Sequence, residues 1–181
     1  QVALDRGDMD EFAARLGLGA RHLRRLFHAH VGAAPITVAQ TRRILLAKTL
    51  LHETGLGMAQ VAEASGFSSL RRFNEAFQAM YARPPSELRR ARSRSDTALV
   101  LSLPYRQPYD FARMLAFLGA RAIREVECVT DDAYLRSFSL DGAVGTLRVS
   151  DAKKESALEV EVKLSRLSVL PALIARVRAL F

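Results

Sequence analysis

The sequence predicts a multidomain chain: an all-α domain of two helix-turn-helix units, followed by an α+β domain in the order β-α-β-β-β-β-α. Three observations predict it. A motif of Ala, Gly four residues later and then an amphipathic helix occurs twice in the first half. A stretch with the length of one continuous helix separates the two copies. The second half alternates apolar and polar residues over short runs, which is typical of strands.

The repeated motif is FAARLG at 12–17 and VAEASG at 61–66. The Ala lets two helices approach closely, and the Gly permits the positive φ that reverses the chain within a few residues. Each motif precedes an amphipathic helix, and both helices run toward proline. The predicted apolar faces are Leu23, Leu26, Phe27 and Val31 in the first copy, and Leu70, Phe73, Phe77 and Met80 in the second. Any helical hairpin could carry one such motif, but two copies with arginine-rich outer faces favour helix-turn-helix units.

Between the two copies, residues 36–55 (ITVAQTRRILLAKTLLHETG) predict one linking helix that ends at Gly55. A helix of about 18 residues is roughly 27 Å long. Successive major-groove faces on one side of B-DNA recur about every 34 Å. A rigid connector of this length could therefore place two reading helices near that spacing.

The second half predicts a strand at 98–105 and a helix at 109–122 that begins near Asp110. Four further strands are predicted at 126–129, 134–140, 143–149 and 157–164, and a last helix from about Val169. Asp141-Gly142 is a good tight-turn dipeptide. The Arg- and Ser-rich residues 91–97 are predicted to be a linker between domains 1–90 and 98–181.

Charge is concentrated in the first half. The chain has a formal net charge of +8, and residues 1–97 hold 15 Lys+Arg against 9 Asp+Glu, a net +6. All of these cations except Lys48 are arginines, whose bidentate fork suits phosphates and guanine edges. No apolar run is long enough to span a bilayer, so no membrane partner is expected. We expect a cytoplasmic, nucleoid-associated protein.

The residues offer little other chemistry. The single cysteine, Cys128, cannot form an internal disulfide and is expected to be buried within a strand. The four histidines lack metal-ligand spacing, and Asp131-Asp132 is interpreted as a polar turn rather than an acid pair. We therefore expect no catalytic residues, no metal and no cofactor in this chain.

The arginine faces are the candidate site. Arg21, Arg24, Arg25 and His28 share one face of the first helix, where an anion such as DNA would relieve their mutual repulsion. On the second helix Arg71, Asn74, Glu75 and Gln78 share the outer face, with Arg72 beside them. Arg suits guanine, Asn and Gln suit adenine, and Glu can accept from cytosine N4. The second helix is therefore predicted to read bases, and the first to contact mainly phosphates.

Residues 8–90 resemble the tandem helix-turn-helix domain of AraC-type transcription regulators. The stretches LRRLFHAHVGAAP, TRRILLAKTLL, MAQVAEASGF and FNEAFQAMYARPPSELRR carry the resemblance, and GFSSLRRFN is similar to Ada-type regulators of the alkylation-damage response. The resemblance implies reading positions at Arg21, His22, Arg24 and Arg25, and at Leu70, Arg71, Arg72, Asn74 and Glu75. Ser68 and Ser69 complete the predicted DNA-binding set. Gly19 stands where the family often has a Ser N-cap, and Glu75 where a basic residue is frequent.

Residues 98–181 resemble the N-terminal α+β domain of AlkA-type 3-methyladenine DNA glycosylases, through LVLSLPYRQPYDFARMLAFLGARAIREVE, YLRSFSLDG and LPALIARVRALF. That resemblance implies a glycosylase for a longer parent chain, with its catalytic domain beginning after Phe181. The catalytic hairpin, its downstream Asp and an Ada-type methyl-acceptor Cys do not occur in these residues.

Two functional hypotheses follow. In the first, the chain is the non-catalytic, DNA-binding regulatory part of a glycosylase fusion in the alkylation response. In the second, it is an AraC-type regulator whose α+β domain binds an effector or dimerises. Double-stranded DNA is the expected partner in both, RNA polymerase is a candidate second partner, and a monomer is expected.

Overall fold

The computed structural model describes residues 6–89 and 98–181, and gives side-chain surroundings from Asp10 onward in the first segment. The helical half contains α1 (Arg6–Arg15), α2 (Ala20–Val31), α3 (Pro35–Glu53), α4 (Met58–Ala64), α5 (Leu70–Tyr81) and a 3₁₀ turn at Pro85–Leu88. Helices α1 and α2 form the first helix-turn-helix unit, α4 and α5 form the second, and α3 links them. The predicted all-α tandem arrangement is confirmed.

The two predicted turns have the expected backbone. Gly17 and Gly66 adopt φ of +67° and +84°, the left-handed region that favours glycine. The alanines on the preceding helices, Ala13 and Ala62, are buried, so the paired helices approach closely at both places.

The linking helix ends earlier than predicted. Helix α3 stops at Glu53, and the Thr54 backbone turns to an extended conformation with φ of −129°. The Thr54 Oγ1 hydroxyl donates to the Leu50 carbonyl at 2.7 Å, which satisfies one of the last orphan carbonyls of the helix. This side-chain cap makes Gly55 unnecessary as the stop residue.

The α+β half contains β1 (Leu99–Pro104), α6 (Phe111–Gly119), β2 (Glu127–Val129), β3 (Ala133–Leu140), β4 (Ala143–Ala152), β5 (Ala157–Leu164), a 3₁₀ turn at Leu167–Val169, and α7 (Leu170–Leu180). The five strands form one antiparallel sheet in the order β1-β5-β4-β3-β2. The predicted order β-α-β-β-β-β-α is confirmed. Asp141 and Gly142 both have positive φ, as expected for a two-residue hairpin turn.

Helices α6 and α7 cover one face of this sheet. The alternating residues that point toward them form the core, among them Leu103, Tyr134, Val149, Val160 and Val162. The prediction that Cys128 is buried is wrong, because its side chain is exposed. Cys128 pairs with Leu135 across β2 and β3, and alternation turns its side chain away from the core side, where its neighbour Val129 packs.

The two halves share an apolar core. Leu101 on β1 and Leu170 at the start of α7 are buried in the same cluster as residues of α3, α4 and α5. The predicted linker at 91–97 lies outside the described residues. The boundary between the halves therefore stays a prediction, while the contact across it is part of the fold.

Candidate nucleic-acid interface

Helices α2 and α5 are equivalent in length and setting. Each has 12 residues, and their first residues, Ala20 and Leu70, lie 50 positions apart. Each ends at a residue with left-handed φ, Gly32 at +71° and Ala82 at +53°. Adding 50 to a position in α2 therefore gives its counterpart in α5.

The inner faces of these helices are narrower than predicted. Leu23 is buried in the first unit, and its counterpart Phe73 is buried in the second. Val31, Leu70 and Met80 are 55%, 41% and 41% exposed, so the prediction that they belong to the buried face is wrong. All three lie at or next to the ends of their helices.

The outer faces carry the predicted site residues. All of these side chains are exposed: Arg21, His22, Arg24, Arg25, His28, Ser68, Ser69, Arg71, Arg72, Asn74, Glu75 and Gln78. Because both helices turn these residues to solvent, a groove of DNA could reach them. Which of them contact DNA stays a prediction.

Glu75 has a structural partner that the sequence pattern left unexplained. The Arg71 Nε donates to the Glu75 Oε1 at 2.8 Å, and this hydrogen bond and ion pair raise the pKa of Arg71 above its ordinary value. Both side chains are well exposed, so solvent screens the pair and it contributes little to stability. The pair therefore acts mainly on geometry, because it holds Nε, and among the described residues no partner occupies the two terminal nitrogens of Arg71. The spacing of four between Arg71 and Glu75 could have revealed it.

The first unit has the opposite arrangement at the same positions. Arg21 and Arg25 are the counterparts of Arg71 and Glu75, so two cations replace an ion pair. Arg25 instead contacts the Nδ1 of His22 through its terminal nitrogen, at 3.0 Å. This contact needs an unprotonated Nδ1, because only then can the ring nitrogen accept.

The two helices also begin differently. In α5 the Ser69 Oγ accepts the Arg72 backbone N–H at 3.2 Å, and Ser68 Oγ accepts from the Arg72 side chain at 3.4 Å. In α2 the N-cap is Gly19, which makes no side-chain cap bond. The expected weaker start of α2 is thus present as a missing cap.

Helix α3 contributes a contact that the sequence did not indicate. The Arg43 side chain lies along the turn of the second unit, with its Nε 3.6 Å from the point where a Cβ on Gly66 would stand. The turn therefore rests against α3 as well as on its own helices. Sequence periodicity gives no signal for such a contact, because Arg43 lies beside the apolar stripe.

Polar clusters of the α+β half have structural partners. The Tyr134 hydroxyl donates to Glu127 Oε1 at 2.7 Å and Arg136 donates to the same oxygen at 2.9 Å; with the Ile123 N–H, they lower the pKa of Glu127. Asp132 accepts from Thr130 and Arg148, which fits the interpretation of 131–132 as a polar turn. Over residues 6–89 and 98–181, no group of three or more His, Cys, Asp or Glu is placed to hold a metal ion. Over the same ranges no helix is long and apolar enough to cross a membrane.

This geometry defines a tandem helix-turn-helix domain packed against an α+β module. Residues 12–91 match the family model described as a helix-turn-helix domain, and residues 100–181 match the model described as the AlkA N-terminal domain. The chain therefore joins an AraC-type helix-turn-helix domain to an AlkA N-terminal domain, as the two resemblances predicted.

Similar proteins agree with this assignment. The chain is 36% identical over 156 residues to the "Probable bifunctional transcriptional activator/DNA repair enzyme AlkA" of Mycobacterium tuberculosis, over 82% of this chain and 32% of that protein. It is 37% identical over 91 residues to the "HTH-type transcriptional regulator GlxA" of Rhizobium meliloti, over 50% of this chain and 28% of that protein. The chain thus spans about a third of the length of these curated relatives.

Among solved structures, the C-terminal domain of the two-component response regulator yesN from Fusobacterium nucleatum is 26% identical. The match covers 45% of this chain and 80% of that one, with a TM-score of 0.44.

Proposed function

We propose that this chain is the sequence-specific DNA-binding, regulatory part of a protein of the alkylation-damage response that also carries a DNA-3-methyladenine glycosylase. Two adjoining domain matches support the proposal, as does the mycobacterial relative named as both activator and repair enzyme. In this arrangement the two domains of this chain bind DNA, and base excision belongs to a separate catalytic domain of the parent protein.

One observation carries the DNA-binding part of the proposal. Two equivalent helices, α2 and α5, expose their polar faces at the two ends of a single connector, α3. Helix α3 has 19 residues and is about 28 Å long at 1.5 Å per residue. A connector of this length could place the two helices near the spacing of neighbouring major grooves on one side of a duplex.

We infer different roles for the two helices from their exposed side chains. Arg21, Arg24 and Arg25 form an exposed cationic face, which suits contacts to phosphates. Arg71, Asn74 and Gln78 on α5 offer the donors and acceptors that discriminate base edges. On this basis α2 supplies sequence-independent affinity through phosphate contacts, and α5 supplies sequence preference through base contacts.

A selection experiment tests this function. The full chain is incubated with randomised duplexes longer than two helical turns, and bound duplexes are sequenced over several rounds. We expect an enriched motif with two half-sites, one stronger than the other. A reporter driven by that motif, together with the parent protein, should then respond to a methylating agent. Enrichment of no motif would remove sequence-specific binding from the proposal.

The remaining partners belong to the same proposal. We propose a cytoplasmic, nucleoid-associated protein that acts as a monomer, since one chain already holds two reading helices, and that contacts RNA polymerase when bound beside a promoter. Light scattering of the chain with and without duplex tests the monomer. Dimers, or a small-molecule ligand that shifts the melting of the α+β half, would instead favour the alternative of an AraC-type regulator with an effector-binding or dimerisation module.

A further inference from the structure

Two leucines of the α+β half complete the core of the helical half. Leu101 on β1 is 1% exposed and Leu170 at the start of α7 is 0% exposed. Both lie in the same apolar cluster as Val61 of α4 and Phe73 of α5. The two halves are therefore joined by a shared, continuously packed core rather than by contact between two separately formed surfaces.

The residues around Leu170 are divided between the two cores. Val169, the preceding residue, packs within the α+β core, whereas Leu170 packs within the helical core. Leu99, Leu164 and Ile174 contact both clusters. A movement of α7 relative to the sheet would therefore disturb both halves together, since close-packed interiors transmit strain.

A hydrogen bond also joins the two halves at the sheet edge, beside the shared core; this junction is called the seam below. Strand β1 lies at the edge of the sheet, where backbone N–H groups lack a neighbouring strand. The Ser102 N–H donates to Glu53 Oε2 at 3.0 Å. Because Glu53 is the last residue of α3, the connector between the two units also anchors the edge strand.

Helix α4 transmits this contact toward the candidate site. On one side α4 packs against α5, and it also packs against the 3₁₀ turn at Leu167–Val169. The second helix-turn-helix unit therefore has the α+β half as part of its support. Within the described part of the chain, the apolar cluster around Leu23, the buried leucine of α2, contains no residue of the α+β half.

We propose that the α+β half is an integral part of the DNA-binding unit, coupled through the shared core to the position of α5. DNA binding by α5 and the ordering of β1 and α7 are then linked, and each stabilises the other by the same factor. This inference rests on the proposed function. It adds that the AlkA-type domain supports DNA binding by the helix-turn-helix domain, rather than being joined to it only by a flexible linker.

Hydrogen exchange on the full chain tests the linkage. The probe is the duplex enriched in the selection described above. We expect the duplex to slow amide exchange in α5 and, in addition, in Leu99–Pro104 and Leu170–Leu180. Exchange in those two segments that is unchanged by saturating duplex would overturn the linkage.

Matched variants separate support for α5 from general damage. Leu170→Ala removes a side chain from the shared core, and Leu173→Ala removes the same atoms from the α+β core one turn later on the same helix. For variants that circular dichroism shows to be folded, we expect Leu170→Ala to weaken duplex binding by about tenfold. Leu173→Ala should weaken binding much less, because it leaves the shared core intact. Leu167→Ala, at a partly buried position on the same seam, is the milder second variant and should weaken binding in the same direction.

The outcomes distinguish this inference from the proposed function. If wild type binds the duplex and neither Leu170→Ala nor Leu167→Ala weakens that binding, the linkage is wrong and the proposed function stands. Equal weakening by Leu170→Ala and Leu173→Ala also contradicts a specific role for the seam. A wild-type chain that enriches no duplex overturns the proposed function, and the linkage to DNA with it.

Discussion

Helices α2 and α5 have the same length and equivalent exposed positions, but they rest on different supports. In the described residues the apolar cluster beneath α2 has two buried members, Ala13 and Leu23. The cluster beneath α5 includes buried residues of α3, α4, β1 and α7. The helix with the more varied polar face is thus the one with the deeper core. Base discrimination requires side chains held in a fixed geometry, whereas phosphate contacts tolerate more freedom.

The outer faces differ in the same sense. The positions that hold Arg21 and Arg25 in α2 hold Arg71 and Glu75 in α5, so a repulsive pair is replaced by an ion pair. The negative charge of Glu75 reduces the attraction of α5 to DNA, but its ion pair with Nε orients the Arg71 guanidinium. Arg72 lies about 100° further round the helix and is better placed for a phosphate.

The largest expected effect tests whether the apolar clusters beneath α2 and α5 differ in their contribution to stability. Phe77 and Phe27 are equivalent aromatic residues, the first fully buried and the second only partly. Phe77→Ala should lower the free energy of unfolding by about 3–5 kcal/mol, and Phe27→Ala by less than half of that, because less area and a smaller cavity are involved. Urea unfolding of both variants measures this, and equal losses would mean that the two cores do not differ.

The next effect concerns base reading. Arg71→Ala should relax discrimination at one base pair by about 1–3 kcal/mol, because it removes a bidentate donor pair. Glu75→Gln is the matched variant, since it keeps the side-chain length but loses the charge that holds Nε. It should raise affinity for unrelated duplexes while reducing that same discrimination. Binding to single-base variants of the enriched duplex measures both, and a uniform loss at every base pair would assign Arg71 to phosphate contacts.

The third effect concerns sequence-independent affinity. Arg24→Ala should weaken binding to all duplexes. It should also lower the magnitude of the slope of log binding constant against log salt concentration by about 0.9, the value expected for one lost phosphate contact on B-DNA. Its counterpart in α5, Asn74, is uncharged, so Asn74→Ala should leave that slope unchanged. Titrations over a range of salt concentrations compare the two. A sequence-dependent loss for Arg24→Ala would reverse the roles assigned to α2 and α5.

The sequence predicted the element order and the exposed faces well, because these follow from local periodicity and from turn glycines such as Gly17 and Gly66. It failed where contacts between residues distant in sequence determine which core a side chain joins. Cys128 lies in an alternating strand, and alternation alone does not say which face the helices cover. Nor does any local pattern show that Leu101 and Leu170 face different partners from Leu103 and Leu173. The Arg71–Glu75 pair was readable from its spacing.

The smallest expected effect compares the helix starts. Gly19→Ser would give α2 the cap that Ser69 gives α5, and Ser69→Gly would remove it. Since Gly is only a few tenths of a kcal/mol worse than Ser at an N-cap, each change should shift stability by about 0.3 kcal/mol, in opposite directions. Amide exchange in the first turn of each helix resolves so small a change better than global unfolding, because local opening is measured directly. If Gly19→Ser leaves exchange in α2 unchanged while Ser69→Gly speeds it in α5, the thin core of the first unit limits α2 rather than its missing cap.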